Sequence, residues 1–414
     1  MSTFRSVFIA VILATALIVA ALLINRERPG LDTERPEADM VAATGRCATC
    51  HREETPAIVV EYEASRHASV GTSCLDCHGL QDGQESLDHR GFTISASVTA
   101  LNCQQCHSSQ YDEFLRSRHA APAFAAVEGA EPFTEEQVAF SERYHPGAVD
   151  RPPNTLARLE GASAIASGCV SCHKIGQPNT DGSIGTCTSC HSRHLASVEL
   201  ARLPTTCGQC HMGPDHSQIE IYEESTHGVL FNAQRDEMNL GADPRLLTVA
   251  DMPVPTCATC HMSGLGGVGV THDTSERLSY WLFAAVSERR PTYVQAQDNM
   301  KAVCGNCHTS NHTDAFYEEA EAVVESTNER VLEAKDIMDG LYEADLLTPA
   351  PFDEPIEFTY FDYWHYWGRT AKHGAFMGGA DFVQWHGNYQ LLAQLVELRA
   401  LAEELRTRHA SPTE

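Results

Sequence analysis

The sequence predicts a mainly α-helical fold that is organised around many copies of one short cysteine motif. Apolar residues recur every three or four positions through the cysteine-free C-terminal region, which is the periodicity of amphipathic helices. No stretch shows the sustained period-two alternation that is typical of half-buried strands. All 16 cysteines fall in units of the form Cys-x-x-Cys-His. These three observations together predict the fold class.

The composition excludes several classes of protein. The chain has 414 residues, with 29 Lys and Arg against 56 Asp and Glu, so its formal net charge is −27. Nucleic acids and anionic membrane surfaces both attract a basic face, so neither is an expected partner. Hydrophobic residues make up 43% of the chain and charged residues 21%, close to globular averages, which excludes bulk disorder.

The cysteine motifs predict covalently bound haem. The eight units are Cys47-Cys50-His51, Cys74-Cys77-His78, Cys103-Cys106-His107, Cys169-Cys172-His173, Cys187-Cys190-His191, Cys207-Cys210-His211, Cys257-Cys260-His261 and Cys304-Cys307-His308. Two thiols three residues apart can add to the two vinyl groups of one haem, and the adjacent histidine then reaches the iron from the same face. A zinc site or a thioredoxin-like redox motif does not explain eight adjacent histidines. We therefore expect eight c-type haems, with their iron bound by the motif histidines. At roughly 50 residues per haem, the haem faces must supply much of the buried apolar area.

The N-terminus carries the export signal that such a protein needs, because haem is attached outside the cytoplasm. Residues 7–24 form an apolar run broken only by Thr15 and preceded by Arg5. The run is longer than the apolar part of a cleaved signal peptide, and no small-residue cleavage site follows it. We expect an uncleaved transmembrane anchor at residues 1–24, with a removed signal and a soluble periplasmic protein as the alternative. Residues 25–45, rich in Pro, Glu and Arg, predict a linker.

The octahaem-binding domain is expected at residues 46–312. Its longest interval between motifs runs from Cys103 to Cys169. Five prolines in this interval, at positions 122, 132, 146, 152 and 153, predict a loop-rich path with a lid-like excursion.

Residues 313–414 predict a helical C-terminal region that packs on the haem domain. A helix capped by Asn311 and Thr313 is expected to begin near Asp314. Its apolar positions are Phe316, Ala320, Val323, Thr327, Val331, Ala334, Met338 and Leu341. A second helix, from near Asp381, carries one apolar seam formed by Leu391, Leu395, Leu398, Ala402 and Leu405. This seam fits either packing within the chain or contact with a neighbouring subunit.

Thirteen of the 21 histidines lie outside the motifs, and some of them are candidates for the second axial position. An electron-transferring haem usually has both axial positions filled, whereas a catalytic haem keeps one open. His67, His119 and His227 share one frame, aromatic-x-x-Ser-x-His followed by a small residue, in which a serine near the ring suits distal ligation. His89, His194, His272 and His373 are further predicted ligands, and His312 is another candidate.

Two constellations suggest chemistry. Asp215 beside His216, directly after the sixth motif, can relay protons, although such pairs also occur as caps or supporting contacts. The aromatic block at residues 360–367, followed by the HGAFMGGADFVQWHGNY block at residues 373–389, is more typical of haem packing than of catalysis.

Eight Cys-x-x-Cys-His motifs, the Gly-Pro-Asp-His run and the HGAFMGGADFVQWHGNY block together resemble the hydroxylamine oxidoreductase family of octahaem cytochromes. The resemblance implies that the fourth haem, held by Cys169, Cys172 and His173, is catalytic and open on one side. It also implies that the other seven are bis-histidine electron carriers, and that Asp215 and His216 handle protons.

The resemblance leaves the direction of reaction open. Oxidative members of that family crosslink a tyrosine from a neighbouring subunit of a trimer to the catalytic haem, whereas relatives without the crosslink reduce nitrite. Tyr360, Tyr363 and Tyr366 lie in the corresponding region.

Two functions therefore remain open at this point. The first is an exported, membrane-anchored oxidoreductase of hydroxylamine or nitrite that exchanges electrons with a quinone-linked or soluble cytochrome partner, and the resemblance implies a homotrimer. The second is a non-catalytic electron-transfer cytochrome in which every haem has two axial ligands. Sulfur chemistry on a related scaffold is disfavoured, because such sites often replace a motif histidine by lysine and all eight histidines are present.

Overall fold

The computed structural model describes residues 41–410. The predicted anchor at residues 1–24 and the linker as far as residue 40 lie outside the described residues. Within residues 41–410, no helix is both long enough and apolar enough to cross a membrane.

The described chain is mainly helical, as predicted, and most of its helices are short. Those before residue 263 are α1 (Gly45–Glu54), α2 (Pro56–Glu63), α3 (Arg66–Ser69), α4 (Cys74–His78), α5 (Ala100–Gln104), α6 (Ser108–Arg116), α7 (Ala121–Glu128), α8 (Glu135–Glu142), α9 (Thr155–Glu160), α10 (Ala162–Ser167), α11 (Cys169–His173), α12 (Val198–Arg202), α13 (Pro204–Gly208), α14 (Gln218–Glu224), α15 (Thr226–Gln234) and α16 (Cys257–Met262). Those after residue 290 are α17 (Tyr293–Cys304), α18 (Ser310–Glu343), α19 (Pro355–Asp362), α20 (Arg369–Met377), α21 (Ala380–Val383) and α22 (Tyr389–Ala410). Short 3₁₀ turns occupy Lys174–Gly176, Cys187–Ser189, Arg235–Glu237 and Leu265–Gly267.

Local sequence explains why a helix begins at several of the motifs. Ser73 caps the helix that starts at Cys74, and its backbone N–H donates to Asp76 Oδ2 at 2.6 Å. Thr256 caps the helix that starts at Cys257 in the same way, with Thr259 as its partner. Such reciprocal caps satisfy the free N–H groups of a first helical turn. Each of these two turns therefore presents both cysteines and the histidine of one motif.

The interval between Cys103 and Cys169 follows the broken path predicted from its prolines. It contains the five helices α6 to α10, and α7 has Pro122 within its first turn. The interval is not a lid, however, because Ala125 and Val149 within it have no exposed surface and pack with Ile184 in one apolar cluster.

One feature was missed by the sequence analysis, a two-stranded hairpin. Strands β1 (Ser86–His89) and β2 (Phe92–Ser95) pair antiparallel through a turn at Arg90 and Gly91, both of which have positive φ. All four residues of β1 are exposed. Strands this short carry too little alternation to be recognised, and the turn is suited to glycine at its second position.

The C-terminal region forms a conventional apolar core. Helix α18 begins at Ser310, four residues before the predicted start, because Thr309 rather than Asn311 or Thr313 caps it. Its buried face also differs slightly from the prediction, since Tyr317 and Val324 replace Phe316 and Val323. The seam predicted for the second helix is buried along α22 and packs against Val331, Ala334, Met338 and Leu341 of α18. The seam is therefore covered within the chain.

Two π-helical segments interrupt this region. They span Tyr363–Gly368, between α19 and α20, and Gln384–Asn388, between α21 and α22. Single π-helical turns are frequent at functional sites because the extra residue re-aims the side chains around it. The first segment contains the buried His365.

The buried seam of α22 predicts a measurable contribution to stability. Leu398→Ala removes a side chain with no exposed surface, and we expect it to lower the free energy of unfolding by about 3 kcal/mol. The matched control is Val396→Ala on the same helix, which is 64% exposed and should change the free energy by less than about 0.5 kcal/mol. Denaturant unfolding followed by circular dichroism measures both values. Equal effects of the two substitutions would contradict the packing described here.

Candidate functional site

One continuous cavity passes all eight cysteine motifs. Its volume is about 3040 Å³, and every motif contributes its histidine and at least one cysteine to the lining. Native interiors are close-packed and contain few voids larger than a water molecule. A cavity of this size, bordered by thirteen of the sixteen cysteines and by all eight motif histidines, is therefore space for bound groups.

Six motif histidines face a second histidine across this cavity. The separations of the ring centroids are 6.0 Å for His51–His89, 6.2 Å for His78–His194, 6.2 Å for His107–His67, 6.4 Å for His191–His272, 5.8 Å for His211–His119 and 6.0 Å for His308–His227. Two imidazoles that bind one metal from opposite sides, with metal–nitrogen bonds of about 2 Å, place their centroids roughly 6 Å apart. The residues present thus fit a haem iron between the two rings of each pair.

Three of the facing histidines are the members of the repeated frame, and the structure explains the frame. Ser65 and Ser225 each cap a short helix, in which the serine oxygen accepts a hydrogen bond from the N–H of residue 68 or 228. Each of these serines also donates to the carbonyl of the aromatic residue three positions before it. The serines therefore bond to the backbone, not to the imidazole as we expected from the sequence. Their effect is to start a helical turn whose second residue is the histidine.

The other three facing histidines are His89, His194 and His272, and none of them lies in such a capped helical turn. His89 ends strand β1, so the hairpin that the sequence analysis missed is what presents it to His51. His272 has a carboxylate beside its outer nitrogen, because Nδ1 lies 3.5 Å from Glu113 Oε2. A carboxylate at that nitrogen fixes the orientation of a ligating ring.

His373 and His312 are placed otherwise. The ring of His373 is buried and its nearest ring contact is Phe283, at 4.8 Å, so no motif histidine faces it among the described ring contacts. His312 stacks directly on His308 at 4.6 Å, one turn of α18 from the cap, and the ring of His227 lies 6.0 Å from the same His308.

Two motif histidines, His173 and His261, have no facing histidine among the described ring contacts. The surroundings of His173 are distinctive. Its Nδ1 bonds to the carbonyl of Ala123, so Nε2 remains for a metal. Burial lowers the pKa of His173, while the nearby His216 lowers it further and Asp215 opposes the shift. The predicted pair of Asp215 and His216 therefore lies close to His173, one of the two motif histidines that have no facing histidine among the described ring contacts.

Asp215 is the centre of a cluster of polar side chains. His216 Nδ1 lies 2.6 Å from Asp215 Oδ2, and Arg369 Nη1 donates to Asp215 Oδ1, also at 2.6 Å. His365 Nδ1 is 3.0 Å from the same Oδ1, and its Nε2 lies 2.8 Å from Arg369 Nη1. His365 and Arg369 were not predicted as site residues. The signal for them was their spacing of four residues on one helical face, which the surrounding aromatic residues masked.

Electrostatics keep this cluster charged. Burial alone would raise the pKa of Asp215, but hydrogen bonds and charge interactions with His216 and His365 outweigh burial and hold that pKa well below its usual range. Burial lowers the pKa of His365, and Asp215 partly restores it. The carboxylate is therefore ionised throughout the neutral range, and the neighbouring imidazoles are the groups able to exchange protons.

The three tyrosines of the aromatic block occupy different environments. Tyr363 is fully buried in the C-terminal core, where its hydroxyl donates to the carbonyl of Arg330 at 3.3 Å. Tyr360 packs against the same core. Tyr366 alone of the three lines the cavity, and Asp215 and Glu160 contribute to raising its pKa after burial. Only Tyr366 is thus placed beside the cluster.

Thiols of different motifs lie beside one another and define which motifs are neighbours. The pairs that interact most directly are Cys47–Cys74, Cys103–Cys187, Cys172–Cys210 and Cys207–Cys257, and the pairs Cys77–Cys103, Cys190–Cys207 and Cys260–Cys304 interact through charge alone. In each pair the neighbouring thiol raises the pKa of one cysteine. At Cys103 and Cys207 a hydrogen bond to that thiol is the largest cause of the raised pKa. At the other cysteines burial is the largest cause, and the neighbouring thiol adds to it. The motifs therefore form a connected series in which the fourth motif joins at the sixth.

Comparisons with known proteins agree with the repeated motif and with the fold. The family model described as "Seven times multi-haem cytochrome CxxCH" matches residues 68–355. A probable nitrite reductase-hydroxylamine oxidoreductase fusion protein of Kuenenia stuttgartiensis is 24% identical over 373 residues, which cover 75% of this chain. The chain spans only 39% of the length of that relative.

Two solved structures share the architecture. A hypothetical multiheme protein superposes with a TM-score of 0.76 at 20% identity, covering 92% of this chain and 99% of its own. A protein of a reducing HAO-like complex from Kuenenia stuttgartiensis superposes with a TM-score of 0.67 at 21% identity, covering 92% of this chain and 87% of its own. These matches confirm the resemblance to the hydroxylamine oxidoreductase family that the sequence motifs indicated.

The facing pairs predict the effect of removing one partner. His67→Ala leaves His107 without a ring opposite, so we expect the haem bound at the third motif to change from low spin to high spin or to bind water. His409→Ala is the matched control, because its Nδ1 bonds only to the carbonyl of Leu405 on the C-terminal helix. Electron paramagnetic resonance of the ferric protein counts the two states. An unchanged low-spin population in His67→Ala would contradict the pairing.

Proposed function

We propose that this chain, which belongs to the multihaem cytochrome family with repeated CxxCH motifs, is an oxidoreductase that acts on small nitrogen compounds at one open haem site. In this proposal it carries eight c-type haems, of which seven transfer electrons. The substrate is hydroxylamine, which is oxidised, or nitrite, which is reduced. Family membership by itself supports covalently bound haem and electron transfer.

One observation carries the proposal. His173 and His261 both lack a facing histidine among the described ring contacts, but only His173 lies near the polar cluster of Asp215, His216, His365 and Arg369. A haem that only transfers electrons needs a second ligand and no proton-handling groups. An open position beside charged, proton-exchanging side chains is what a catalytic site requires.

The chain's own residues divide the work at this site. A haem bound at the fourth motif supplies a redox-active iron to which a small molecule can bind. Asp215 holds the imidazole of His216 through Nδ1, so the other ring nitrogen of His216 is directed away from the carboxylate. His365 is held between Asp215 and Arg369. We assign His216 and His365 as the groups that hold and move protons, and Asp215 as the group that orients them.

Proton handling is needed in either direction. Hydroxylamine and water are converted to nitrite with the release of four electrons and five protons, and the reverse reaction consumes the same numbers. The electrons pass between the fourth motif and the sixth, whose thiols Cys172 and Cys210 adjoin, and from there along the connected series. One structural neighbour is named a reducing HAO-like complex, which makes nitrite reduction the first direction to test.

The partners and location of the protein follow from the same proposal. The chain is exported and held at the periplasmic side of the cytoplasmic membrane by residues 1–24, or is soluble in the periplasm if that segment is removed. A formal charge of −27, increased by haem propionates, favours a redox partner with a basic surface and association that weakens with salt. That partner is a quinone-linked or soluble cytochrome, and the assembly is a homotrimer.

Binding of carbon monoxide tests whether one site is open. We expect the difference spectrum of the reduced holoprotein to show at least one reactive haem in eight, and at most two, because only His173 and His261 lack a facing histidine among the described ring contacts. Turnover of nitrite with an artificial reductant, or of hydroxylamine with an artificial oxidant, then identifies the direction. If no haem binds carbon monoxide and neither compound is turned over, the protein is a non-catalytic electron carrier and the proposal fails.

Asp215→Asn tests the proton-handling assignment. The amide keeps the shape but loses the charge that supports the pKa of His365, so His365 loses its proton at lower pH. We expect kcat to fall about 100-fold and the acid side of the pH profile to move to lower pH, while haem content stays unchanged. Asp339→Asn, at an exposed pair with Lys335, is the control and should leave kcat unchanged. Full activity of Asp215→Asn would remove Asp215 from the mechanism.

A further inference from the structure

Arg369 occupies a special position in the cluster. It is the first residue of α20, immediately after the π-helical segment that carries His365, and its side chain is 12% exposed. Its Nε donates to the carbonyl of Phe283 at 2.9 Å, and its guanidinium lies over the rings of Phe283 and Trp364. The side chain is therefore fixed on several sides while it still lines the cavity.

The hydrogen bonds of Arg369 leave part of the guanidinium free. Nε bonds to Phe283, and Nη1 contacts Asp215 and His365. Nη2 has no acceptor among the described residues, yet it is not one of the buried polar atoms that lack a partner, so it keeps accessible surface. Arginine has five N–H donors, and its two Nη2 hydrogens remain for a ligand in the cavity.

The charge of Asp215 does not exclude an anion from the site. Asp215 contributes one negative charge and Arg369 one positive charge, so the pair is neutral. The carboxylate is therefore already satisfied by cations and does not repel an incoming anion. The bonds of Nε and Nη1 fix the direction of the two remaining N–H donors on Nη2, which can donate to an oxygen of a small oxyanion.

A purely structural role would not require this arrangement. Holding the carbonyl of Phe283 uses only Nε, and neutralising Asp215 uses only Nη1. Lys372, one turn further along α20, already binds the same loop through the carbonyls of Ala284 and Ala285. The loop that carries Phe283 is thus also held by Lys372, and Nη2 of Arg369 makes no hydrogen bond to the described residues.

We propose that Arg369 is a specificity-determining residue that binds an oxygen of a small oxyanion through Nη2 at the fourth-motif site. This inference rests on the proposed function, because it requires that site to be open. A neutral ligand of the same site gains nothing from Arg369. The residue therefore biases the site towards an anionic substrate over a neutral one such as hydroxylamine.

Ligand titrations of the purified holoprotein test this inference. Nitrite is titrated into the ferric protein and carbon monoxide into the ferrous protein, and both are followed by absorption. We expect Arg369→Gln to raise the Kd for nitrite about tenfold or more and to change the Kd for carbon monoxide less than about twofold. Arg369→Lys keeps the charge without the fork and should lie between wild type and Arg369→Gln.

The control is Arg399→Gln, which breaks an exposed ion pair with Glu333 and should leave both Kd values unchanged. If Arg369→Gln does not assemble, two other measurements test the inference. They are the Kd of Arg369→Lys for nitrite and the salt dependence of the wild-type Kd, which should rise with salt because binding to a cationic group is screened. Equal changes for nitrite and carbon monoxide, or no change for nitrite, would overturn the inference. A wild-type protein that binds carbon monoxide but not nitrite also overturns it, whereas one that binds neither refutes the proposed function itself.

Discussion

The spacing between facing histidines is the constraint on which the rest of the structure depends. A ring on each side of a gap of about 6 Å must be held by two different segments of the chain, such as a motif helix and the hairpin that ends at His89. The segments around the motifs are short, and their apolar clusters have three to seven buried residues each, against thirteen in the C-terminal core. Because so little apolar surface is buried within the protein alone, ligation and the haem faces must fold these segments together.

The C-terminal region is held together by ordinary apolar packing between helices. Helices α18 and α22 pack through a conventional apolar seam that includes Val331, Leu391 and Leu398, all without exposed surface. This core consists of apolar side chains packed on one another, and Tyr363 of the π-helical segment Tyr363–Gly368 belongs to it. Through that segment the helical region contributes His365 and Arg369 to Asp215, which lies in the motif region. The pocket at the fourth motif is therefore assembled from two parts of the chain, one held by the facing histidines and one by ordinary packing.

Sequence reasoning could predict features that depend on a fixed local spacing. The motifs themselves, the helical class and the seam of α22 all follow from intervals of three to five residues. The frame of His67, His119 and His227 was recognisable for the same reason, although its serines bond to the backbone. Features that depend on contacts between distant segments could not be derived. His365 and Arg369 meet Asp215 across about 150 residues of chain, and the hairpin turn at Arg90 and Gly91 has too short a pattern to be read.

The most direct measurement of this account is the location of iron in crystals of the holoprotein by anomalous scattering at the iron edge. We predict an iron midway between the two rings of each facing pair, such as His107 and His67, and an iron beside His173 with no protein ligand on its far side. If the iron at His173 is bound by a histidine on both sides, the protein is a non-catalytic electron carrier. Absence of iron between the facing rings would show that the facing histidines do not bind haem iron.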